Sequence, residues 1–286
     1  MNCLVLGGTK FFGKHLVRTL IENGNTVTIA TRGKTPDPFG AEVGRILTDR
    51  ADCDKMKNSF AGKTYDVVFD DLAYCSLDVK YALESIQCQR YIMVSSAAVY
   101  ALHPNTKEED FLPLQKELIW SGRKDFPYGE NKRLAECALF QAYKTQNAAA
   151  VRFPFVLGED DYTKRLSVYV AGQLSGTPMY VDDIDAQMSL IRSDEAGKFL
   201  AYLADQELQG PVNACSAGTV SISEITDYIE EKTGKKALFT ADGEEAPYNG
   251  TGTYRLNTEK AEATGFQFTE LKDWIYHLID FEIGKI

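Results

Sequence analysis

The fold is decided by Cys3-Leu4-Val5-Leu6-Gly7-Gly8-Thr9-Lys10-Phe11-Phe12-Gly13, in which an apolar run gives way to a glycine-rich turn. Beyond the turn, apolar residues return at helical spacing, at Phe12, Leu16, Leu20 and Ile21. Glycine allows a sharp turn and lets the backbone approach a pyrophosphate, whose charge the first N–H groups of a helix can meet. The stretch therefore predicts a strand, a phosphate-binding loop and a helix, which is the arrangement of a dinucleotide site.

The next segment completes a βαβ unit. The helix is expected to end at Gly24. Residues 26–30 are mostly β-branched and alternate between polar and apolar, which predicts a second strand. A glycine pair in such a turn also occurs in α/β proteins that bind no nucleotide, so the loop alone does not decide the function.

The end of the second predicted strand bears on the choice of cofactor. An acidic residue at this point binds the ribose hydroxyls of NAD, but this chain has Thr31 and Arg32. A neutral residue beside a guanidinium suits the 2′-phosphate of NADP, which Arg can bind through two hydrogen bonds. Lys10 or Lys34 can add a second positive charge, so NADP is expected more than NAD. The alternative is that these are solvated charges of a turn.

Composition narrows the class of protein. The 286 residues suffice for one large domain or two interlocked ones, and a net charge of −10 disfavours binding to nucleic acid or to an anionic membrane. No apolar run is long enough to span a membrane, and no cationic signal peptide precedes the first strand. The six cysteines are scattered, as expected for reduced thiols in a cytoplasmic protein.

Strands alternate with helices through the first half of the chain, which predicts an α/β fold: a Rossmann-type doubly wound parallel sheet with a smaller C-terminal α/β substrate-binding region. Residues 1–160 are expected to form the Rossmann domain and 161–286 the smaller region, with a segment near 187–214 returning to the first domain. Strands are predicted at 3–6, 26–30, 43–47, 65–70, 90–96, 149–156 with an interruption at Pro154, 187–191 and 210–214. Helices are predicted at 11–23, 52–60, 77–87, 128–144, 162–174, 194–204, 221–234 and 269–283, and residues 98–126 form a long loop.

Tyr128 and Lys132 form a Y-x-x-x-K pair, and on a helix their side chains share a face. A nearby ammonium is expected to lower the pKa of the tyrosine and make it usable for proton transfer. With 15 tyrosines in the chain, about one such pair is expected by chance, and Tyr228 with Lys232 is a second.

The surroundings separate the two pairs. Only Tyr128 opens a helix downstream of a predicted strand that ends in Ser95 and Ser96. A hydroxyl at the carboxyl end of a central strand lies where ligands bind in parallel sheets. We therefore assign chemistry to the first pair and a solvated helix surface to the second.

Four features together resemble the extended short-chain dehydrogenases/reductases, the NAD-dependent epimerase/dehydratase family. They are the N-terminal loop, the segment 94–100, the pair Tyr128/Lys132 and the segment 151–154, in that order. The Gly-Gly-Thr-x-Phe-x-Gly loop is most similar to an atypical reductase-like branch. The resemblance implies that Ser96 polarises the substrate oxygen, that Tyr128 is the acid/base, and that Lys132 supports both Tyr128 and the cofactor ribose.

The resemblance also implies a set of cofactor-binding residues along the chain. Asp49 and Arg50 are expected to flank the adenine, and the turn after residue 153 is expected near the nicotinamide. The full set is Gly7, Gly8, Thr9, Lys10, Phe11, Phe12, Gly13, Thr31, Arg32, Asp49, Arg50, Leu72, Ala73, Tyr74, Lys132, Phe153 and Pro154.

Three positions depart from the family pattern. Lys10 replaces the middle glycine of the loop, and Thr31 replaces the acid of NAD enzymes. Gln187 stands where nucleotide-sugar enzymes carry an arginine for the diphosphate, although Arg192 or Arg165 can take that part.

The sequence thus predicts an NAD(P)-dependent oxidoreductase or epimerase that moves a hydride to or from a carbinol or carbonyl carbon, with a sugar or nucleotide-sugar as the candidate substrate. A homodimer is compatible with it, and the acidic pairs such as Asp70 and Asp71 are interpreted as turn residues rather than as a metal site. An NADP-binding regulator without turnover is the first alternative. An RNA-binding relative is the second, because some proteins with this kind of loop bind RNA.

Overall fold

Buried strands alternate with helices in the computed structural model, which describes residues 1–286. The strands are β1 (Asn2–Leu6), β2 (Thr26–Thr31), β3 (Val43–Leu47), β4 (Thr64–Asp70), β5 (Gln87–Ser96), β6 (Ala148–Phe153), β7 (Phe155–Leu157), β8 (Met179–Tyr180), β9 (Leu190–Arg192), β10 (Gly210–Asn213) and β11 (Glu244–Glu245). The helices are α1 (Phe11–Glu22), α2 (Cys53–Phe60), α3 (Ser76–Ser85), α4 (Tyr128–Cys137), α5 (Arg165–Ser175), α6 (Ser193–Tyr202), α7 (Ile222–Thr233), α8 (Glu259–Glu262) and α9 (Leu271–Ile283).

Seven strands form one parallel sheet in the order β10-β6-β5-β4-β1-β2-β3. The chain moves outward from β1 through β2 to β3, then crosses to β4 and moves outward in the opposite direction. The strand order therefore reverses between β1 and β4, and a ligand-binding crevice is expected there, at the carboxyl ends of the strands. This topology confirms the predicted Rossmann-type fold.

Both faces of the sheet are covered, as the near-continuous apolar strands require. Successive residues of a strand point to opposite faces. Cys3 and Val5 belong to a cluster of 27 buried residues that includes the packed sides of α1 and α6. Leu4 and Leu6 belong to a cluster of 18 that includes residues of α2, α3 and α4.

The C-terminal part of the chain builds a third core of 23 buried residues, which joins α5, α7 and α9. Trp274 and Ile275 of α9 lie in it, so this helix packs into the core as expected. Two short parallel pairs, β7 with β9 and β8 with β11, lie outside the main sheet. β10 joins the main sheet beside β6. None of the helices combines the length and apolar character needed to cross a membrane.

Two predicted elements are divided in the structure. The strand expected over 149–156 is interrupted at Pro154, which has no N–H to donate, and β6 and β7 on either side of it pair in different sheets. The helix expected over 128–144 ends its α-helical part at Cys137 and continues as a π-helical turn, Ala138–Ala142. The proposed boundary at residue 160 remains a prediction.

Candidate active site

A long cleft follows the carboxyl ends of the central strands. It consists of two joined cavities, of about 550 and 410 Å³. Phe11, Phe12, Asp71, Tyr74 and Tyr162 line both cavities and so form the passage between them. The cleft lies where the strand order reverses, as expected for this topology.

The glycine loop forms the floor of the first cavity. Gly7 and Gly8 have φ values of +116° and +79°, which residues with a side chain rarely adopt. A Cβ on Gly13 would lie 2.4 Å from Asp71 Oδ2 and 3.1 Å from Gly8 Cα, so this position also requires glycine. The backbone is thereby exposed to the cleft at the start of α1, whose first N–H groups can bind an anion.

The end of β2 brings Thr31, Arg32 and Lys34 into the first cavity. Thr31 Oγ1 accepts a hydrogen bond from the Gly33 N–H at 3.1 Å, which shapes the turn. Arg32 is exposed and enters no ion pair within the chain. Asp49, which follows β3, lines the same cavity.

Arg50, which the resemblance places beside the adenine, is largely buried, and its position there stays a prediction. It lines the cavity, but it is only 7% exposed and its guanidinium is turned inward. It forms an ion pair with Asp70 and donates to the backbone oxygen of Asp78 at 2.8 Å. The charge of Arg50 therefore supports the wall of the cleft.

Asp71 lies between the two cavities and was not predicted as a site residue. The Gly8 N–H donates to its Oδ2 at 3.3 Å, and its buried Oδ1 has no hydrogen-bond partner. Burial, and then the charge of Asp70, raise the pKa of Asp71 to about 7. The sequence suggested a solvated turn, because it could not show that β1 and β4 are neighbours.

The second cavity is lined by Ser96, Tyr128 and Lys132. Tyr128 and Lys132 are distant from Ser96 in the sequence. Ser96 ends β5, and its Oγ accepts from the Ala98 N–H at 3.2 Å. Tyr128 is the first residue of α4, and its ring lines the second cavity. Partial removal of the phenol from water raises the pKa of Tyr128, and the neighbouring Ser96 hydroxyl partly opposes this effect.

Lys132 is buried, and its Nζ donates to the backbone oxygens of Ala73 and Val94 at 2.8 Å each. Burial lowers the pKa of Lys132 to about 8, although the negative charges of nearby carboxylates act to raise it. Its Nζ is 5.9 Å from the centre of the Tyr128 ring. The prediction that this ammonium lowers the pKa of Tyr128 is wrong, because two carbonyls hold it and burial dominates at the tyrosine. Lys132 retains one N–H for a ligand.

A buried network supports the segment that carries Ser96. Ser95 donates to Glu136, which forms an ion pair with Arg152. Arg152 also donates to the Tyr100 hydroxyl at 2.7 Å and to the backbone oxygen of Glu108 at 3.0 Å. The network fixes the end of β5 against α4 and against the long loop that follows.

Comparison with known proteins identifies the family. Residues 3–215 match the model of the NAD dependent epimerase/dehydratase family. The chain belongs to this family. It is accordingly an NAD(P)-dependent enzyme of the epimerase/dehydratase or reductase type, and the resemblance drawn from the sequence is confirmed.

Two curated relatives align over most of the chain. The chloroplast stem-loop binding protein of 41 kDa b from Arabidopsis thaliana is 27% identical over 82% of this chain and 68% of its own length. Vestitone reductase from Medicago sativa is 23% identical over 92% of this chain and 91% of its own length.

Solved structures share the fold at lower identity. MoeE5, solved in complex with UDP-glucose and NAD, is 21% identical, has a TM-score of 0.75, and is matched over 100% of this chain and 99% of its own. The UDP-glucose 4-epimerase of Thermotoga maritima is 17% identical, has a TM-score of 0.77, and is matched over 100% and 99%. These likenesses establish that the protein has the fold of the epimerase family.

The other predicted cofactor residues of this family member are distributed along the same cleft. The residues that line the first cavity are Gly7, Gly8, Thr9, Lys10, Phe11, Phe12, Thr31, Arg32, Asp49, Arg50, Leu72 and Tyr74. Phe153 and Pro154 line the second cavity with Lys132. Gly13 and Ala73 lie beneath the surface, where Ala73 holds Lys132 through its backbone oxygen.

Two further tyrosines, Tyr228 and Tyr162, differ in their position relative to the cleft. The second Tyr-Lys pair lies on α7, where Tyr228 donates to Asp280 at 3.0 Å and Lys232 lies 3.6 Å from the same carboxylate. Tyr162, which the sequence did not identify, covers the passage between the cavities, 5.6 Å beneath Lys10 Nζ. A loop tyrosine carries no periodic signal, so only the folded chain reveals its position.

Proposed function

We propose that the protein is an NADP-preferring reductase or epimerase that uses Ser96, Tyr128 and Lys132 to transfer a proton while a hydride moves to or from a carbinol or carbonyl carbon. The observation that carries this proposal is one continuous cleft. The glycine loop lines one end together with the positively charged side chains of Arg32 and Lys34. Ser96, Tyr128 and Lys132 line the other end.

The residues present fit a dinucleotide. Gly8 and Gly13 let the loop pack closely on the start of α1, because a Cβ on Gly8 would lie 2.8 Å from Val17 Cγ2 and one on Gly13 would lie 2.4 Å from Asp71 Oδ2. The first N–H groups of α1 beside this loop suit a pyrophosphate. Arg32 and Lys34 are placed for a 2′-phosphate, and no acid stands at position 31 to bind the ribose hydroxyls of NAD. The bound cofactor would supply or accept the hydride. Related structures contain NAD, so the preference for NADP rests on this chain's own residues.

The proton chemistry follows from the second cavity. The Ser96 hydroxyl can donate to the substrate oxygen, and Tyr128 can give or take the proton that this oxygen gains or loses. Since the pKa of Tyr128 is raised, its neutral form predominates at pH 7 and suits proton donation. Lys132 positions the ribose with its remaining N–H.

A sugar or nucleotide-sugar is the proposed substrate class. Structural neighbours are described as UDP-glucose 4-epimerase and as complexes with UDP-glucose, and the family is that of epimerases and dehydratases. Release of the reduced product defines a reductase, and return of the hydride to the opposite face defines an epimerase.

The substitution Tyr128→Phe tests the proposal. We expect kcat to fall by at least about 100-fold, because general acid–base catalysis contributes on that scale, while the Kd for NADPH changes less than three-fold. Turnover is followed as NADPH oxidation with a panel of keto-sugars and aldehydes, and as interconversion of UDP-sugar epimers in the presence of NADP, because an epimerase leaves no net change in the cofactor. Tyr228→Phe is the matched control and should leave turnover unchanged.

Two results would contradict this function. Unchanged turnover in Tyr128→Phe would remove the tyrosine from the mechanism. NADPH binding by the wild-type protein, with neither reduction of a carbonyl compound nor interconversion of sugar epimers, would instead favour an NADP-sensing regulator.

RNA binding is a second candidate, favoured by the similarity to a protein described as stem-loop binding. The net charge of −10 opposes it, since phosphate contacts need a basic surface. A gel shift with a stem-loop RNA at low and high salt tests it. A salt-sensitive shift would support RNA binding, and no shift at low salt would exclude it.

A further inference from the structure

We propose that the substrate carries an anionic group, a carboxylate or a phosphate, close to its reacting carbon, and that Arg165 binds this group. The inference rests on the proposed function and deepens it by naming a substrate class.

Arg165 is the first residue of α5 and lines the second cavity together with Ser96 and Tyr128. Its guanidinium donates to Thr163 Oγ1 at 2.9 Å and lies 5.3 Å from the centre of the Phe155 ring. It forms no ion pair, in contrast to the guanidinium of Arg50 in the wall of the first cavity. The stacking fixes the guanidinium and leaves most of its five N–H donors free for a ligand.

The other charges of the second cavity do not neutralise Arg165. The nearby Asp161 carboxylate accepts from both the N–H and the hydroxyl of Thr163, and it forms no ion pair with Arg165. Asp71 lines the far end, at the passage to the first cavity. Lys132 already donates to two backbone oxygens. Arg165 is therefore the cation of the second cavity that keeps most of its N–H donors free for a substrate.

The two other positions considered for an anion are occupied by internal contacts. Gln187 donates to Glu224 at 3.2 Å and accepts from Thr219 at 2.8 Å. Arg192 is ion-paired with Asp194 and lines a separate cavity. Neither side chain is available to bind a substrate anion beside Tyr128.

Arg165 acts on the reacting end of the cavity. Its charge opposes the rise in the pKa of Tyr128, so the guanidinium and the tyrosine hydroxyl are electrostatically coupled. Because Arg165, Ser96 and Tyr128 line the same cavity, an anion on Arg165 shares that cavity with the oxygen that receives the proton. A sugar acid or a sugar phosphate has this arrangement, because its charged group is attached to the ring that reacts. Binding the anion here also orients the ring against Ser96.

The test compares probes that differ in charge. Wild-type protein saturated with NADPH is titrated with D-glucose, D-glucuronate and glucose 1-phosphate, and binding is read from the nicotinamide fluorescence. We expect at least one charged sugar to bind about ten-fold or more tightly than glucose, as expected for a charge-assisted hydrogen bond. The two charged probes separate a carboxylate from a phosphate ligand.

Arg165→Met should abolish the advantage of the charged sugar, and the matched control Arg192→Met should retain it. Equal binding of charged and neutral sugars by the wild type, or an advantage that persists in Arg165→Met, would overturn the inference. Binding of NADPH is measured separately in each protein. Its loss in the wild type would count against the proposed cofactor site and not against the role of Arg165.

Discussion

Asp71 shows how a single buried side chain joins the loop to the reactive end of the cleft. It contacts the glycine loop through Gly8 and lines both cavities. Its carboxyl group is only 9% exposed and lies close to Asp70, so its charged form is unfavourable in the folded protein. Such groups concentrate at functional sites, where they cost stability.

Asp71→Asn should stabilise the protein at high pH. Folding raises the pKa of Asp71 from 3.8 to about 7. The contribution of this carboxyl group to the free energy of unfolding is therefore fully present below about pH 4 and is lost as the pH rises through 7. Asparagine avoids that loss, and the variant should gain up to about 4 kcal/mol in unfolding free energy at pH 8. Urea unfolding at pH 5 and pH 8 measures the difference.

The gain should shrink at pH 5, where the folded wild type is mostly protonated at this position. Asp227→Asn, at an exposed position on α7, is the control. Its difference from the wild type in unfolding free energy should be the same at pH 5 and pH 8. A gain in Asp71→Asn that is equal at both pH values would contradict the account.

At the scale of elements, the start of α4 positions the tyrosine. Gly129 packs against the turn after β5, and a Cβ there would lie 2.5 Å from the backbone oxygen of Ala98. Neither backbone can give way without changing the separation of Tyr128 from Ser96. Glycine is therefore required by the contact, although it lowers helix propensity.

Gly129→Ala should lower kcat by about ten-fold or more, because displacement of a catalytic group by about 1 Å is costly. Its NADPH affinity should change little, since the first cavity is untouched. Gly172→Ala is the matched control: it is also helical, but its new Cβ would meet the flexible side chain of Met179. Equal kcat values for the two variants would show that the Gly129 contact is unimportant.

The elements also show what the sequence could predict. The first five strands and the helices between them follow from apolar runs and periodicity, because each is a local pattern. The capping box at Ser221 and Glu224 likewise marked the start of α7. The pairing of β8 with β11 depends on residues that are distant in sequence, so no local pattern predicts it.

The candidate site divides in the same way. The loop and the pair Tyr128/Lys132 carry recognisable spacing, and the structure brings them to one cleft. The inward turn of Arg50 and the two carbonyls that hold Lys132 arise from tertiary packing. For that reason the sequence could name these residues but could not give the direction of the pKa shift at Tyr128.

At the scale of the whole molecule, the buried ion pair of Glu136 and Arg152 joins distant parts of the chain. Both side chains are fully buried. Arg152 holds the loop through the backbone oxygen of Phe111 at 2.9 Å, and Tyr100 continues the network to Asn213 of β10. The loop after β5 is thereby ordered around a charge in the interior.

Arg152→Met should destabilise the protein by about 3–5 kcal/mol, because removal of one partner leaves Glu136 charged and buried. Arg18→Met is the matched control. Its partner Glu42 is 48% exposed, so the loss should be below about 1 kcal/mol. Urea unfolding of both variants measures this, and equal losses would contradict the structural role of the network.

The glycine loop and Arg32 are proposed to form the NADP site. Fluorescence titration of the wild type and of Arg32→Ala with NADPH and NADH tests this site. We predict tighter binding of NADPH by the wild type, and a loss of about ten-fold or more for NADPH alone in the variant. Equal affinities that Arg32→Ala leaves unchanged, or no binding of either nucleotide, would contradict the claim.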